Sequence, residues 1–97
     1  MKRREYPVRL TVNGRRISKV VIDPHYELKH NESISDGVIL KLVEQLDGGD
    51  FEAEDIDDGF EYFVADRLEL SGKFYKLIWL LEKGELYIGI VNAYRRK

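Results

Sequence analysis

Apolar residues in this chain recur at every second position in several short stretches, and these stretches are punctuated by dipeptides ending in glycine. Val8, Leu10 and Val12 alternate with Arg9 and Thr11, the pattern of a strand with one buried face. Asn13-Gly14 follows, the pair that best tolerates two successive positive φ angles, and it predicts a two-residue hairpin. That turn sets Leu10 against Ile17 and Thr11 against Arg16, apolar to apolar and polar to polar, with the return strand running to about Ile22. The pattern reappears towards the C-terminus. Phe60, Tyr62, Val64 and Leu68 alternate with Glu61, Ala65, Arg67 and Glu69. Ser71-Gly72 then turns the chain into Phe74 to Leu81, and Lys83-Gly84 turns it into Leu86 to Tyr94. Consecutive hairpins make these last three strands an antiparallel meander, with the apolar run Leu77 to Leu81 at its centre.

Between the two strand regions the period changes. Ile34, Val38, Ile39, Leu42, Val43 and Leu46 lie three or four residues apart, one apolar stripe of a helix. Ser33 or Ser35 supplies the N-cap, Asp36 sits near the positive end of the helix dipole, and Gly48-Gly49 ends the element. Ahead of it, Asp23-Pro24 has the form of a helix entry. His25 to His30 then reads as a short helix, or as an extended stretch in which Tyr26 and Leu28 alternate. Residues 50–59 read as an exposed acidic loop. The expected fold is one α+β domain over residues 1–97. It has an antiparallel sheet, built from the N-terminal hairpin and the three-stranded meander, with one or two short helices packed on it. Its element order is β-β-α-α-β-β-β.

At 97 residues the chain has room for one modest core. A composition of 43% hydrophobic and 35% charged residues suits a compact domain rather than a disordered one. The absence of cysteine excludes disulfides, thiolate metal sites and cysteine nucleophiles, and favours a cytoplasmic location. The basic start, Lys2-Arg3-Arg4, leads into an alternating segment and not an apolar one, so it does not read as a signal peptide. No apolar run approaches the length of a membrane span. Charge is unevenly distributed. Residues 1–31 hold eight Lys/Arg against three Asp/Glu, residues 42–66 hold ten acids and no base, and residues 67–97 hold seven bases against three acids. Either the two basic ends meet to form a positive surface, or acids and bases solvate opposite faces.

Motifs of serine hydrolases, dinucleotide sites and phosphate loops are absent from the sequence. His25 and His30 are five apart, off the shared helical face that a two-histidine metal site uses, so no metal and no cofactor is expected. What remains is a set of cations from distant segments: Lys29-His30, Arg67 on the first meander strand, and Arg95-Arg96 after Tyr94. Convergence of such groups would suit a phosphate.

These residues carry a resemblance. Asp23-Pro24, Lys29-His30, Ile34-Ser35 opening a helix, the strand Tyr62-Phe63-Val64-Ala65-Asp66-Arg67, the internal Trp79 and the ending Val91-Asn92-Ala93-Tyr94-Arg95-Arg96-Lys97 resemble the BrnT family of small toxins. That family belongs to the wider RelE-like group of ribonucleases, and the resemblance covers roughly residues 22–97. It implies a metal-independent endoribonuclease acting on RNA and held inactive by a cognate antitoxin protein. The ribose 2′-hydroxyl would attack the adjacent phosphorus, with a base taking its proton and cations stabilising the charge on the phosphoryl oxygens. Carried over by position, Lys29 or His30 would act as base or electrostatic partner and Arg67 and Arg95 would clamp the phosphate. Tyr94 or Arg96 would help position it. The chain departs from the family in its longer N-terminal hairpin, the acidity of the segment after the main helix and its net charge of −2. The alternative expectation is a non-catalytic domain on a toxin-like sheet, binding a protein partner through its acidic loop or its basic ends.

Overall fold

A computed structural model of the chain describes residues 3–23 and 34–96. Strands β1 (Arg4–Val12) and β2 (Arg15–Ile22) form the N-terminal hairpin. Helix α1 (Asp36–Glu44) follows, then β3 (Asp55–Asp57), β4 (Phe60–Leu70), β5 (Lys73–Glu82) and β6 (Tyr87–Arg96). All six strands lie in one sheet of order β1-β2-β6-β5-β4-β3.

This corrects the expected fold class. Among the described residues the order is β-β-α-β-β-β-β, not β-β-α-α-β-β-β, because Asp55–Asp57 of the acidic segment pairs with β4 as an edge strand. The sheet is mixed, not antiparallel: β2 and β6 run parallel, with Val21 beside Gly89 and Ile22 beside Ile90. The hairpin thus joins the meander through the final strand. The first expected helix, His25–His30, and the alternative cap Ser33 lie outside the described residues.

Helix α1 begins as its sequence dictates. Ser35 has extended backbone angles, and its hydroxyl accepts the Val38 N–H at 3.2 Å. Its inward stripe, Ile39, Leu42 and Val43 with Leu46 beyond, is fully or almost fully buried against one face of the sheet. Trp79 is the centre of this core, with Phe63 at 4.4 Å and Phe51 at 5.2 Å in edge-on geometry. Leu77, Leu81, Ile88, Ile17, Val20 and Ile22 complete it. Each such aliphatic side chain contributes roughly 1.5–3 kcal/mol through removal from water.

The turn after α1 hooks onto the outer edge of β1. Gly48 donates its N–H to the Thr11 carbonyl at 2.7 Å, Thr11 donates to Asp47 Oδ1 at 2.8 Å, and Asn13 donates to the Gly49 carbonyl at 3.0 Å. Gly48 has φ +79, a left-handed angle that suits glycine. At the other end of the helix, Arg4 grips Asp36 through Nε at 2.6 Å and Nη2 at 3.0 Å, and Tyr6 donates its hydroxyl to the same carboxylate at 2.5 Å. Both ends of α1 are therefore fixed to β1. Tied down in this way and interrupted by Pro7, β1 is a poor template for further strand pairing, and three-residue, acid-flanked β3 protects the opposite edge.

Strand β4 departs from simple alternation. Its pairing with β5 shifts between Ala65 and Leu68, where Asp66 and Arg67 together oppose Lys76. Arg67 has φ +57, and its N–H is taken by Asp66 Oδ1 at 2.8 Å. Side chains before and after such a bulge exchange faces. Val64 and Leu68, which the sequence pattern set on one face, lie on opposite ones: Val64 pairs with Ile78, away from the helix, and Leu68 pairs with buried Tyr75 and packs on the core.

Candidate functional site

Alternation along six strands gives the sheet a second face, away from α1. One row crosses it by register: Glu5 beside Val21, Val21 beside Gly89, Gly89 beside Leu80, Leu80 beside Tyr62, and Tyr62 beside Asp55. At the centre of this row Gly89 has no side chain, and Leu80 takes the space above it. A Cβ there would meet Leu80 Cδ1 at 2.8 Å, so the leucine lies over the glycine backbone. The resulting groove has a volume of about 510 Å³, with Val21, Phe60, Tyr62, Leu80 and Tyr87 as its apolar lining and Arg3, Asp23 and Glu82 at its polar margin.

Tyr87 and Glu82 form a coupled pair at that margin. The hydroxyl donates to Glu82 Oε1 at 2.5 Å. Burial, reinforced by the carboxylate, pushes the tyrosine pKa up to about 12. Tyr87 is thus a neutral hydrogen-bond donor across the physiological range. Register places Asp55 and Asp57 on the same face as Tyr62 and Phe60, so the acidic segment borders the groove.

Further along this face Ile78 lies beside Val64 and Asn92. Asn92 Oδ1 is buried and accepts no hydrogen bond from the described residues. At the far end Lys76 and Tyr94 are paired in register, with Lys76 Nζ 5.8 Å from the Tyr94 ring centroid, and Arg96 Nε meets Asp66 Oδ1 at 3.2 Å.

The cations singled out from sequence do not share one surface. Lys29 and His30 lie outside the described residues. Arg95 pairs with Tyr75, on the side facing α1, whereas Tyr94 and Arg96 pair with Lys76 and Phe74 on the open side. Arg67 belongs to the β4 bulge, where strand parity no longer assigns a face. Nor do the basic ends stand apart from the acidic middle: Arg15 pairs with Glu61 at 3.3 Å, and Arg96 with Asp66. Lys76 and Gly89 were not among the sequence candidates. Gly89 had a signal, since a lone glycine inside a strand marks a close approach; Lys76 emerges only from the β5–β6 register.

Among the described residues no helix is long and apolar enough to cross a membrane. Comparison with family models, with curated proteins and with solved structures finds no match to this chain.

Proposed function

We propose that this chain is a protein-interaction domain whose open sheet face takes a basic, apolar-bearing segment of a partner protein. The observation that carries this reading is the groove over Gly89: an apolar floor bordered by Glu82, Asp23, Asp55 and Asp57, with Arg3 the single cation among its described lining residues. Apolar side chains of the partner would displace water from Tyr62, Leu80 and Val21, and its Lys or Arg heads would meet the carboxylate margin.

The test is amide chemical-shift mapping with a peptide of alternating Leu and Lys/Arg, beside a counterpart carrying Glu at the charged positions. The basic peptide is expected to shift residues 60–64, 78–82 and 87–91, and Gly89→Ala, which drives Leu80 into the groove, is expected to weaken it about tenfold. Equal binding of the acidic counterpart, or shifts confined to the helix side, would reject the reading.

A second reading draws on the opposite end of the same face. Lys76, Tyr94 and Arg96 gather there, and a metal-independent endoribonuclease, restrained by an antitoxin, would use such a group to hold the scissile phosphate. Induction of the wild-type chain would then arrest growth and cleave RNA in the presence of a chelator. Both effects would disappear on Lys76→Ala with Arg96→Ala, and Arg67→Ala with Arg95→Ala would test the residues named by resemblance. Intact RNA and unimpaired growth would remove this reading.

A further inference from the structure

On the helix side of the sheet, the β4–β5 turn and the N-terminal part of α1 border an open cavity of about 370 Å³. Its polar lining comes from two separate elements: Ser35, Gly37 and Lys41 from the helix, and Ser71, Lys73 and Tyr75 from the hairpin. No carboxylate lines it among the described residues. In a chain with 18 acids and a net charge of −2, a pocket with two lysines and no acid is a local departure.

The backbone is prepared for an anion. The hydroxyl of Ser35 occupies the Val38 N–H. Asp36, the acid in the first turn, is held by Arg4 and Tyr6 of β1, so its charge is already compensated there. A Cβ on Gly37 would meet nothing closer than Ser35 Oγ at 3.9 Å, so the backbone at this point is open to a ligand. The positive end of the helix dipole thus faces the same region as the two ammonium groups.

An independent observation comes from Tyr75. It is 8% exposed, lines the cavity, and makes no hydrogen bond to any described residue. Its hydroxyl oxygen keeps contact with solvent on the cavity side, where it can donate to a ligand. Arg95, the register partner of Tyr75 on β6, adds a third positive charge on this side of the sheet.

We infer that this corner binds the phosphate group of a small-molecule ligand, with Lys41 and Lys73 supplying charge and Tyr75 a hydroxyl donor. Two ammonium groups from different elements, a phenol and two serine hydroxyls match the several acceptor oxygens and the charge of a phosphate monoester. The volume leaves room for a short organic portion. The site lies on the other side of the sheet from the proposed docking groove and does not depend on it.

The experiment is a titration of the full chain with inorganic phosphate and, separately, phenyl phosphate, followed by amide chemical shifts at constant ionic strength against sodium chloride. Saturable shifts confined to residues 35–41 and 71–75 are expected. Lys41→Gln with Lys73→Gln should weaken binding at least about tenfold, and Tyr75→Phe roughly threefold or more. Both lysines are exposed, so the double variant should keep its thermal midpoint, and it remains an informative test even if the tyrosine variant folds poorly. Tighter binding of the ester identifies a phosphorylated small molecule as the natural ligand, and equal binding identifies the free anion; both support the site. Shifts that rise linearly and match those from chloride, or undiminished binding by the double-lysine variant, would overturn it.

Discussion

The two faces of this sheet are built from the same strands, and they have been put to different use. The face under α1 is dry: Trp79, Leu77, Leu81, Phe63 and Ile88 are at most 1% exposed, and the helix stripe fills the space above them. The opposite face repeats the alternation one residue out of phase, with Tyr62, Val64, Ile78 and Leu80 only partly buried by the described residues. A strand exposed to water on one side ordinarily carries polar residues there. Here the outer row is aromatic and aliphatic at its centre and charged at its ends, the composition on which the proposed docking of a partner segment rests. Core residues on one face and the proposed docking residues on the other should therefore respond differently to the same truncation.

The largest effect is expected on the helix side. Trp79→Ala or Phe63→Ala should cost about 3–5 kcal/mol in urea denaturation, enough to leave a small domain largely unfolded. Tyr62→Ala, on the open face, should cost about 1 kcal/mol or less while removing peptide binding. Similar destabilisation by the two classes of variant would erase the distinction.

An intermediate effect belongs to the clamp between α1 and β1. Arg4's guanidinium holds the Asp36 carboxyl below its ordinary pKa, and the Tyr6 hydroxyl bond lowers it further. A depressed folded-state value stabilises the protein above the unfolded pKa and is lost as pH falls through the folded one. Asp36→Asn should thus cost about 1–2 kcal/mol at neutral pH and flatten the acid limb of the stability profile, with little change in the presence of denaturing acid. An unchanged acid limb would mean the clamp does not hold the helix.

The smallest effect is a titration. Tyrosinate absorbance should show Tyr87 ionising at about 12. Glu82→Gln should lower that value and yet leave it above the ordinary one, because burial is the larger cause and survives the substitution. A fall to the ordinary value would make the carboxylate, rather than the groove, responsible.

Much of the local structure was legible in the sequence, and the global pairing was not. Asn13-Gly14 adopts the paired positive φ angles that its residue types favour, Ser71-Gly72 adopts them with only its glycine suited to them, and Leu10 does face Ile17. Asp58-Gly59 makes a third such turn, with φ +49 and +86, but its surroundings are so acidic that the segment read as a loop. Alternation states which residues share a face and is silent on which strand lies alongside, so the parallel pairing of β2 with β6 had no local signal. The Asp66-Arg67 bulge inverted the faces of everything after it in β4, and with that the face of the candidate Arg67 lost its basis. Tyr94, Arg95 and Arg96 could be placed only once their register against β5 was known: strand geometry separates the middle residue from its neighbours.

Whether the open face serves as an acidic-bordered docking surface, as proposed, can be decided by one affinity comparison. The alternating basic peptide is titrated into the wild-type chain and into a variant carrying Asp55→Asn, Asp57→Asn and Glu82→Gln, at low and at high salt. At least about tenfold weaker binding by the variant is expected at low salt, with the difference shrinking as salt screens the carboxylates. Equal affinity of the two proteins at low salt would contradict it.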